Sequence, residues 1–280
     1  MKKTIGLFLF IAVFLMILTG CSSTTNNTAA NNNSSKNTLE SAKEKGVLVV
    51  GSSNDAPFAF IDKDTKKFSG IDAEIMQEVA KRLGIAKVEM KEIKFENLLL
   101  ELNNKKIDMV TDGMYIKPER EKLVDFTGIW YSEGEALVVH KNSTIAGIDD
   151  LKDKTVGGQK GTAFLEFAQK LNKEGKLKQV TVFGSQAELL LALNTGKIDA
   201  VITDSAVAGY TITKDASLNL KLVSPYKPES AGNIAAAVRK GESELLDAVN
   251  KELENLKKEG FILKVLQKYG LNEDNLTEVE

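Results

Sequence analysis

A chain of 280 residues, 42% hydrophobic and 27% charged, is long enough to bury the cores of two lobes. Its formal net charge of -2, without a basic stripe interleaved with aromatic residues, argues against nucleic-acid binding. The single cysteine, Cys21, excludes an internal disulfide, and the single histidine, His140, argues against a histidine metal cluster or a Ser-His catalytic site. Neither a P-loop nor a G-x-G-x-x-G motif is present, so no metal and no cofactor are expected.

The N-terminus has the pattern of a targeting segment. Two lysines precede an apolar run from residue 5 to 18, which predicts a signal peptide over residues 1–20. The run ends in Leu18-Thr19-Gly20-Cys21, which resembles the lipobox of bacterial lipoproteins and implies cleavage before Cys21 and lipid attached to it. The alternative is a signal peptide or anchor in which Cys21 is incidental. Residues 21–38 are polar and lack apolar periodicity, so we predict a lipidated cysteine followed by a flexible tether.

The folded part is predicted to begin near Leu39. Residues 47–51 and 88–93 read as strands, and apolar residues spaced by four predict a helix over residues 70–84 between them. Pro118 suits the first position of a further helix, and residues 136–140 read as a strand. We assign residues 39–141 to a first lobe.

A polar, turn-rich crossing then leads into a second lobe, residues 142–224. It is predicted to contain strands at 155–158 and 180–183, a helix from Thr162, and a last helix at 205–212. The chain is expected to cross back near Ser224-Pro225. A strand at 234–239 and helices at 242–258 and 262–269 would complete the first lobe within residues 225–280.

One stretch occurs twice, as LLLELNNKKIDMVTD over residues 98–112 and LLLALNTGKIDAVITD over residues 189–204. Each copy reads as a short helix followed by a strand, which is half of a βαβ unit, so two copies predict two similar α/β lobes. Ligands in such sheets bind beyond the carboxyl ends of the strands. The strand ends Thr111-Asp112-Gly113 and Thr203-Asp204-Ser205 are therefore candidate halves of one cleft.

Several motifs in fixed order carry a resemblance. They are Val47–Gly51, Ala56-Pro57-Phe58, Gly70-Ile71-Asp72, Lys106-Ile107-Asp108, Pro118-Glu119-Arg120, Asp125-Phe126, Gly161-Thr162, Thr203-Asp204 and residues 237–241. Together they resemble extracellular solute-binding proteins that deliver polar amino acids to ABC importers. The resemblance implies an α/β fold of two Rossmann-like lobes joined by two crossing segments, the type II periplasmic binding protein architecture. It also implies a monomer without catalytic activity, lipid-anchored on the extracytoplasmic face of the cell membrane, with an ABC permease and a small zwitterionic ligand as partners.

Arg120 and Asp204 are the first candidates for binding the two charged ends of that ligand. The planar guanidinium of Arg120 suits a carboxylate, although composition alone favours a solvated residue paired with a neighbouring glutamate. Asp204 would hold the ammonium group, and its alternative role is the N-cap of the helix that follows. The resemblance assigns the carboxylate contact to Arg120 and the ammonium contact to Asp204.

Other positions complete the candidate site. Gly113 would add a backbone contact, and the Thr162 hydroxyl and neighbouring amides, with Ala163, would bind an anion or only cap a helix. Side-chain contacts are expected from a last group, which departs in part from the family pattern: Asp55, Phe95, Tyr115 and Trp130. A lysine- or arginine-like ligand meeting Asp55, and a cyclic, ectoine-like zwitterion enclosed by the three aromatic residues, both remain open.

Two further expectations concern acidic side chains. Glu133 and Glu135 flank Gly134, and their spacing predicts one exposed strand face. The less favoured functional alternative is a dehydratase-type enzyme on the same fold, for which Asp55 and Tyr115 are the candidate acid and base.

Overall fold

In a computed structural model, which describes residues 36–276, two five-stranded sheets form the scaffold. The signal peptide, Cys21 and most of the predicted tether lie outside the described residues, so those assignments remain predictions. Within residues 36–276, no helix is both long and apolar enough to span a bilayer. The strands in chain order are β1 Val47–Ser52, β2 Phe60–Ile61, β3 Phe68–Ser69, β4 Lys87–Glu92, β5 Met109–Val110, β6 Val124–Phe126, β7 Tyr131–Glu133, β8 Glu135–His140, β9 Thr155–Gln159, β10 Gln179–Phe183, β11 Ala200–Asp204, β12 Leu220–Leu222, β13 Gly232–Ile234 and β14 Ala237–Arg239.

Helices cover both sheets. They are α1 Thr38–Lys45, α2 Ile71–Arg82, α3 Leu98–Asn103, α4 Pro118–Glu121, α5 Ala163–Lys173, α6 Gln186–Asn194, α7 Ser205–Lys214, α8 Ser243–Lys258 and α9 Phe261–Lys268, with 3₁₀ turns at Phe95–Asn97, Ile148–Leu151 and Glu273–Leu276. In α2, Ile71, Ile75 and Val79 are fully buried at the helical spacing that the sequence predicts. Acidic residues in its first turn and basic residues in its last turn complement the helix dipole.

The two sheets have the same topology. The first sheet has the order β4-β1-β5-β14-β6 and the second β10-β9-β11-β8-β12. In each, three parallel strands are connected by helices, and an antiparallel strand lies next to the third. The predicted α/β architecture of two Rossmann-like lobes is confirmed.

The repeated stretch has the same structural role in each sheet. Asp108 accepts a hydrogen bond from the Val49 amide at 2.9 Å, and Asp199 accepts one from the Thr155 amide at 2.8 Å. Each aspartate thus ties the entry of the third parallel strand to the central strand. The isoleucine before it packs closely on a glycine of that strand, since a Cβ on Gly51 would lie 2.4 Å from Ile107 Cδ1. The shared sequence therefore maintains shared packing.

The first crossing differs from the prediction. Residues 136–140 were assigned to the first lobe, but β8 pairs with β11 and β12 in the second sheet. The assignment failed because a fully apolar strand fits the interior of either sheet. The chain passes from β7 to β8 at Gly134, where a Cβ would lie 2.5 Å from the Pro228 side chain on the returning segment. The two crossing strands β7 and β13 pair antiparallel. The strand predicted at 234–239 is two strands in the structure, because β13 pairs with β7 whereas β14 belongs to the first sheet.

The start of the fold also differs. Helix α1 begins at Thr38, and the side chain of Asn37 caps it by accepting a hydrogen bond from the Glu40 amide at 2.8 Å. The Thr38 hydroxyl donates to Glu242 at 2.5 Å. The last two residues of the predicted tether are therefore part of the folded structure.

A candidate ligand site between the two sheets

A cavity lies where the carboxyl ends of β1, β5, β9 and β11 converge, as expected for open α/β sheets. About 330 Å³ of empty space, part of it open to solvent, lies between its lining residues. The lining residues are Asp55, Phe58, Phe95, Asp112, Gly113, Tyr115, Arg120, Gln159, Thr162, Ala163, Phe164, Asp204 and Val207. Both sheets contribute, so the structure brings together eight of the nine side-chain and backbone positions predicted for ligand contact.

Arg120 lies in the short helix α4, which begins at Pro118 as predicted. Its guanidinium donates hydrogen bonds to the carbonyls of Tyr115 at 2.8 Å and Gly161 at 3.0 Å, and it lies 5.6 Å from the centre of the Phe95 ring. No carboxylate within residues 36–276 forms an ion pair with it. Burial lowers the pKa of Arg120, yet a guanidinium remains charged at neutral pH. The cavity therefore contains a buried cation that forms no direct ion pair with any carboxylate of residues 36–276.

Asp204 ends β11 and is 7% exposed. It is the N-cap residue of α7, but its side chain makes no capping hydrogen bond. Its carboxylate instead accepts a hydrogen bond from Gln186 Nε2 at 3.2 Å. Burial raises the pKa of Asp204, and the charge of Arg120 opposes that shift. No cation pairs directly with Asp204 in the described part of the chain.

The first turn of α5 offers amide donors opposite Arg120. Thr162 is its N-cap, and the Thr162 hydroxyl both accepts from the Leu165 amide at 3.2 Å and donates to the Gln159 carbonyl at 2.8 Å. That hydroxyl is therefore committed to capping, the simpler of the two predicted roles. Ala163 and Phe164 also line the cavity, at a helix N-terminus that favours an anion.

A second acidic group lies at the end of β1. Asp55 accepts hydrogen bonds from Ser53 Oγ at 2.8 Å and from Gln159 Nε2 at 3.4 Å. Asp112, which is 2% exposed, accepts from the Ser53 amide at 2.8 Å and Ser52 Oγ at 2.7 Å. Burial, together with the charge of Asp204, raises the pKa of Asp55 to about 7. Burial and the neighbouring Asp55 raise the pKa of Asp112 well above its ordinary value.

Gly113 is required by its surroundings. It has a φ of +59°, and a Cβ there would lie 2.6 Å from the Phe58 ring. Its amide donates to Asp72 Oδ2 at 2.8 Å, so only its carbonyl is available for the backbone contact expected from the sequence. Tyr131 donates to the other oxygen of Asp72 at 2.8 Å, and burial raises the pKa of Asp72 to about 6.

The aromatic residues divide into two groups. Phe95 and Tyr115 line the cavity, and the Tyr115 ring meets Phe164 edge-to-face with centroids 5.3 Å apart. Trp130 does not line it. Its side chain is 1% exposed in the hydrophobic core, and its indole donates to Thr127 Oγ1 at 2.9 Å. The prediction that Trp130 contacts the ligand is therefore corrected, because this large apolar side chain packs in the hydrophobic core and not at the cavity.

Sequence reasoning missed several residues. Asp112 was recognised as a strand end but given no role, and Gln159 was not considered. The Oε1 atom of Gln159 is buried and accepts no hydrogen bond from residues 36–276. Glu133 and Glu135 were predicted to be exposed but are 4% and 1% exposed, because the chain crosses between the sheets at this point. No three metal-ligating side chains are grouped closely enough to hold a metal in the described region.

Comparison with known proteins identifies the family. Residues 48–272 match bacterial extracellular solute-binding proteins, family 3. The L-cystine-binding protein TcyA of Bacillus subtilis (strain 168) is 33% identical, over 96% of this chain and 97% of that protein. The arginine-binding extracellular protein ArtP of the same organism is 34% identical, over 82% of this chain and 88% of ArtP.

A solved structure with a similar fold and sequence is also that of a binding protein. An ancestral arginine-binding protein bound to arginine is 37% identical, with a TM-score of 0.73 over 80% of this chain and 98% of that one. These relatives are binding proteins. The chain belongs to the bacterial extracellular solute-binding proteins, family 3.

Proposed function

We propose that this protein binds an amino acid in the cavity between its two sheets and delivers it to the permease of an ABC importer. The observation that carries this proposal is the pair Arg120 and Asp204, two buried groups of opposite charge that line one cavity and have no direct ion-pair partner among residues 36–276. A zwitterion supplies both missing partners. The carboxylate would bind Arg120 and the first amides of α5, and the ammonium would bind Asp204.

The delivery role also includes the parts outside the described residues. We propose that residues 1–20 are removed, that Cys21 carries the lipid anchor on the extracytoplasmic face, and that the protein acts as a monomer. Sheet membership supports a first lobe of residues 36–133 and 231–276, with residues 135–222 forming the second. Mass spectrometry of the membrane-extracted protein would test the anchor, since lipid on Cys21 adds mass that Cys21→Ala removes.

The charge of the cavity supports a ligand with a cationic side chain. The charged residues of its described lining are three aspartates, Asp55, Asp112 and Asp204, and one cation, Arg120. Once a zwitterion has neutralised Arg120 and Asp204, two acidic groups remain, and a guanidinium or ammonium on the side chain would neutralise one of them. The unpaired Oε1 of Gln159 adds an acceptor for a donor-rich group such as guanidinium. We therefore propose L-arginine or a close analogue as the ligand.

L-Cystine is one competing ligand among those that the relatives bind, and an ectoine-like ring is the one that the sequence suggested. L-Cystine would bring a second carboxylate as well as a second ammonium group, and no second cation is present among the lining residues to bind that carboxylate. An ectoine-like ring lacks the side-chain cation that Asp55 and Asp112 favour, and Trp130 is not available to enclose it. Both are therefore less compatible with the acidic end of the cavity than L-arginine is.

Calorimetric titration with L-arginine and L-citrulline tests this proposal, because the two differ little in shape but only arginine carries the side-chain charge. L-Arginine is expected to bind at least about tenfold more tightly, the effect of about 1.4 kcal/mol. L-Cystine, L-glutamine and ectoine complete the series. Equal affinity for arginine and citrulline would overturn the cationic ligand, while absence of binding to every amino acid would overturn amino acid binding itself.

We also propose that the protein acts without catalysis. A dehydratase would need a general acid or base positioned at the reacting atoms, and the raised pKa of Asp55 is the observation that favours this alternative. In the proposed complex, however, Asp55 faces the ligand side chain as a counter-ion. Recovery of unchanged L-arginine after prolonged incubation, measured by mass spectrometry, is the expected result.

A further inference from the structure

Glu133 lies at the point where the chain crosses from the first sheet to the second. It ends β7, is 4% exposed, and pairs in register with Gly232 of the returning strand β13. Its Oε2 atom accepts hydrogen bonds from the Ser205 hydroxyl and from the Ala206 amide, both at 3.1 Å. A side chain from the crossing strand thus caps helix α7 of the second lobe.

This capping contact matters because Asp204 occupies the N-cap position of α7. An aspartate there usually accepts hydrogen bonds from the first amides of its own helix. In this protein Glu133 accepts the Ala206 amide instead, and Asp204 makes no capping bond. The carboxylate of Asp204 is thereby left to face the cavity, where it is held by Gln186.

The carboxyl group of Glu133 is also close enough to that of Asp204 for the two charges to interact. Glu133 Oε1 is buried and has no hydrogen-bond partner within residues 36–276. Two carboxyl groups in contact form a hydrogen bond only when one of them carries a proton. Burial, followed by the charge of Asp204, raises the pKa of Glu133 well above its ordinary value, which favours the protonated form of Glu133 beside Asp204.

We infer that Glu133 is a positioning residue for ligand binding: it caps α7 in place of Asp204 and orients the Asp204 carboxylate toward the α-ammonium group of the ligand. This inference rests on the proposed function and names a residue beyond the ligand contacts. Because Glu133 is on a crossing strand, the ammonium site is complete only when the second lobe packs against that strand.

Other titratable groups surround this pair. The Tyr115 hydroxyl donates to the Glu133 carbonyl at 2.8 Å. Burial is the main cause that raises the pKa of both Tyr115 and Tyr131, and the charges of Glu133 and Asp204 add to it. Arg120 is the cation that acts on Asp204 across the cavity. Two further ionisable groups lie on the strands and helices that pack around this pair: Asp72, which accepts a hydrogen bond from Tyr131, and Glu135, which follows Gly134. Neither tyrosine ionises near neutral pH, so the carboxyl groups determine the local pH response.

The test compares L-arginine with 5-guanidinopentanoic acid, which lacks only the α-ammonium group. In Glu133→Ala, affinity for L-arginine is expected to fall by about tenfold to a hundredfold, as for outer-shell partners of other sites. Affinity for the analogue should change far less, because it does not use Asp204. Glu133→Gln keeps an acceptor for the Ala206 amide and a donor for Asp204, so it should restore most of the L-arginine affinity. An equal loss for both ligands would show that Glu133 is only structural and overturn the inference.

A second measurement covers an analogue that binds too weakly to titrate. The dependence of L-arginine affinity on pH should be less steep in Glu133→Gln than in the wild type, since the variant has one titrating carboxyl fewer beside the ammonium; identical profiles would contradict the inference. Glu135→Gln is the matched control, because Glu135 is equally buried at the crossing but accepts from Tyr226, Glu229 and Ser230.

The wild-type titrations separate the inference from the proposed ligand. If the wild type binds L-glutamine instead of L-arginine, the arginine proposal fails and the same comparison is made with L-glutamine and 4-carbamoylbutanoic acid. A wild type that binds no α-amino acid overturns both.

Discussion

Arg120 and Asp204 line one cavity from α4 beside the first sheet and from the end of β11 in the second, and no direct ion pair joins them. Leaving two buried charges without partners is costly, so the arrangement is favourable mainly when something else neutralises both. A zwitterion that does so also holds the two lobes together. In the proposed function, ligand affinity and lobe closure both depend on these two contacts.

Arg120→Ala should abolish tight binding of the amino acid. Removal of one partner of a buried charge pair costs about 2–5 kcal/mol, which corresponds to at least about thirtyfold in affinity. Calorimetry gives the affinity, and thermal unfolding without ligand should remain cooperative. Arg120→Lys is the matched variant: it keeps the charge but loses the planar pair of donors, so an intermediate affinity is expected. Wild-type affinity in Arg120→Ala would contradict the assigned carboxylate contact.

Asp55→Asn should reduce the preference for a cationic side chain. Affinity for L-arginine is expected to fall, whereas that for L-citrulline should stay constant or rise. Because the pKa of Asp55 is about 7 in the ligand-free protein, the Asp55 carboxyl group is partly protonated near neutral pH. Binding of a cationic side chain beside it favours the carboxylate and releases the proton of Asp55. Arginine affinity in the wild type should therefore increase from about pH 5 to about pH 8, and the variant should lose part of that slope. A pH-independent wild-type affinity would argue against Asp55 as the counter-ion.

The ligand-free protein should lose stability as the pH rises from about 4 to about 7. The pKa of Asp72 is raised to about 6 in the folded state, above its unfolded value. Its contribution is therefore present below the unfolded pKa and is lost as pH rises through the folded pKa; a shift of this size corresponds to about 3 kcal/mol. Asp72→Asn keeps an acceptor for Gly113 and should reduce the pH dependence in urea unfolding. An unchanged dependence would remove Asp72 as its source.

Two ion pairs at the rim of the cavity should slow ligand release. Lys160 pairs with Glu96 at 2.8 Å, and Lys117 pairs with Glu166, each joining the two lobes. Exposed pairs contribute about 0.2–1 kcal/mol, so Lys160→Ala should raise the dissociation rate by up to about fivefold. Stopped-flow measurement should show the same acceleration when salt is added. Lys173→Ala, in the last turn of α5 and without an ion-pair partner in residues 36–276, is the control and should leave the rate unchanged.

Gly113→Ala should destabilise the protein and weaken binding together. The alanine would need a positive φ and would also collide with the Phe58 ring. Gly175→Ala isolates the backbone effect, because Gly175 has a φ of +73° with no atom within 4 Å of an added Cβ. The control should cost about 1 kcal/mol in urea unfolding, and Gly113→Ala clearly more. Equal costs would mean that the Phe58 contact is relieved by small shifts.

Local patterns predicted the two-lobed α/β scaffold but not every element of it. Apolar strands bounded by glycine, the four-residue spacing in α2 and the repeated helix-strand stretch are all properties of neighbouring residues. The meeting of Arg120 and Asp204 followed from the rule that ligands lie at the carboxyl ends of strands, together with the resemblance to a known family.

The remaining features depend on contacts between distant segments. Glu133 and Glu135 look like an exposed strand face, and only the crossing of the chain beside α7 and residues 226–230 buries them. Trp130 was predicted at the cavity because it departs from the family pattern on the cleft side of the first lobe, whereas its side chain packs into the core. Neither outcome is determined by the adjacent sequence.

The most direct measurement is a crystal structure of the protein with L-arginine bound. Both carboxylate oxygens of the ligand are expected to lie within about 3.2 Å of Arg120 nitrogens. The α-ammonium nitrogen is expected to lie at a similar distance from an Asp204 oxygen. A ligand bound in this cavity with its ammonium away from Asp204, or with its carboxylate away from Arg120, would contradict it.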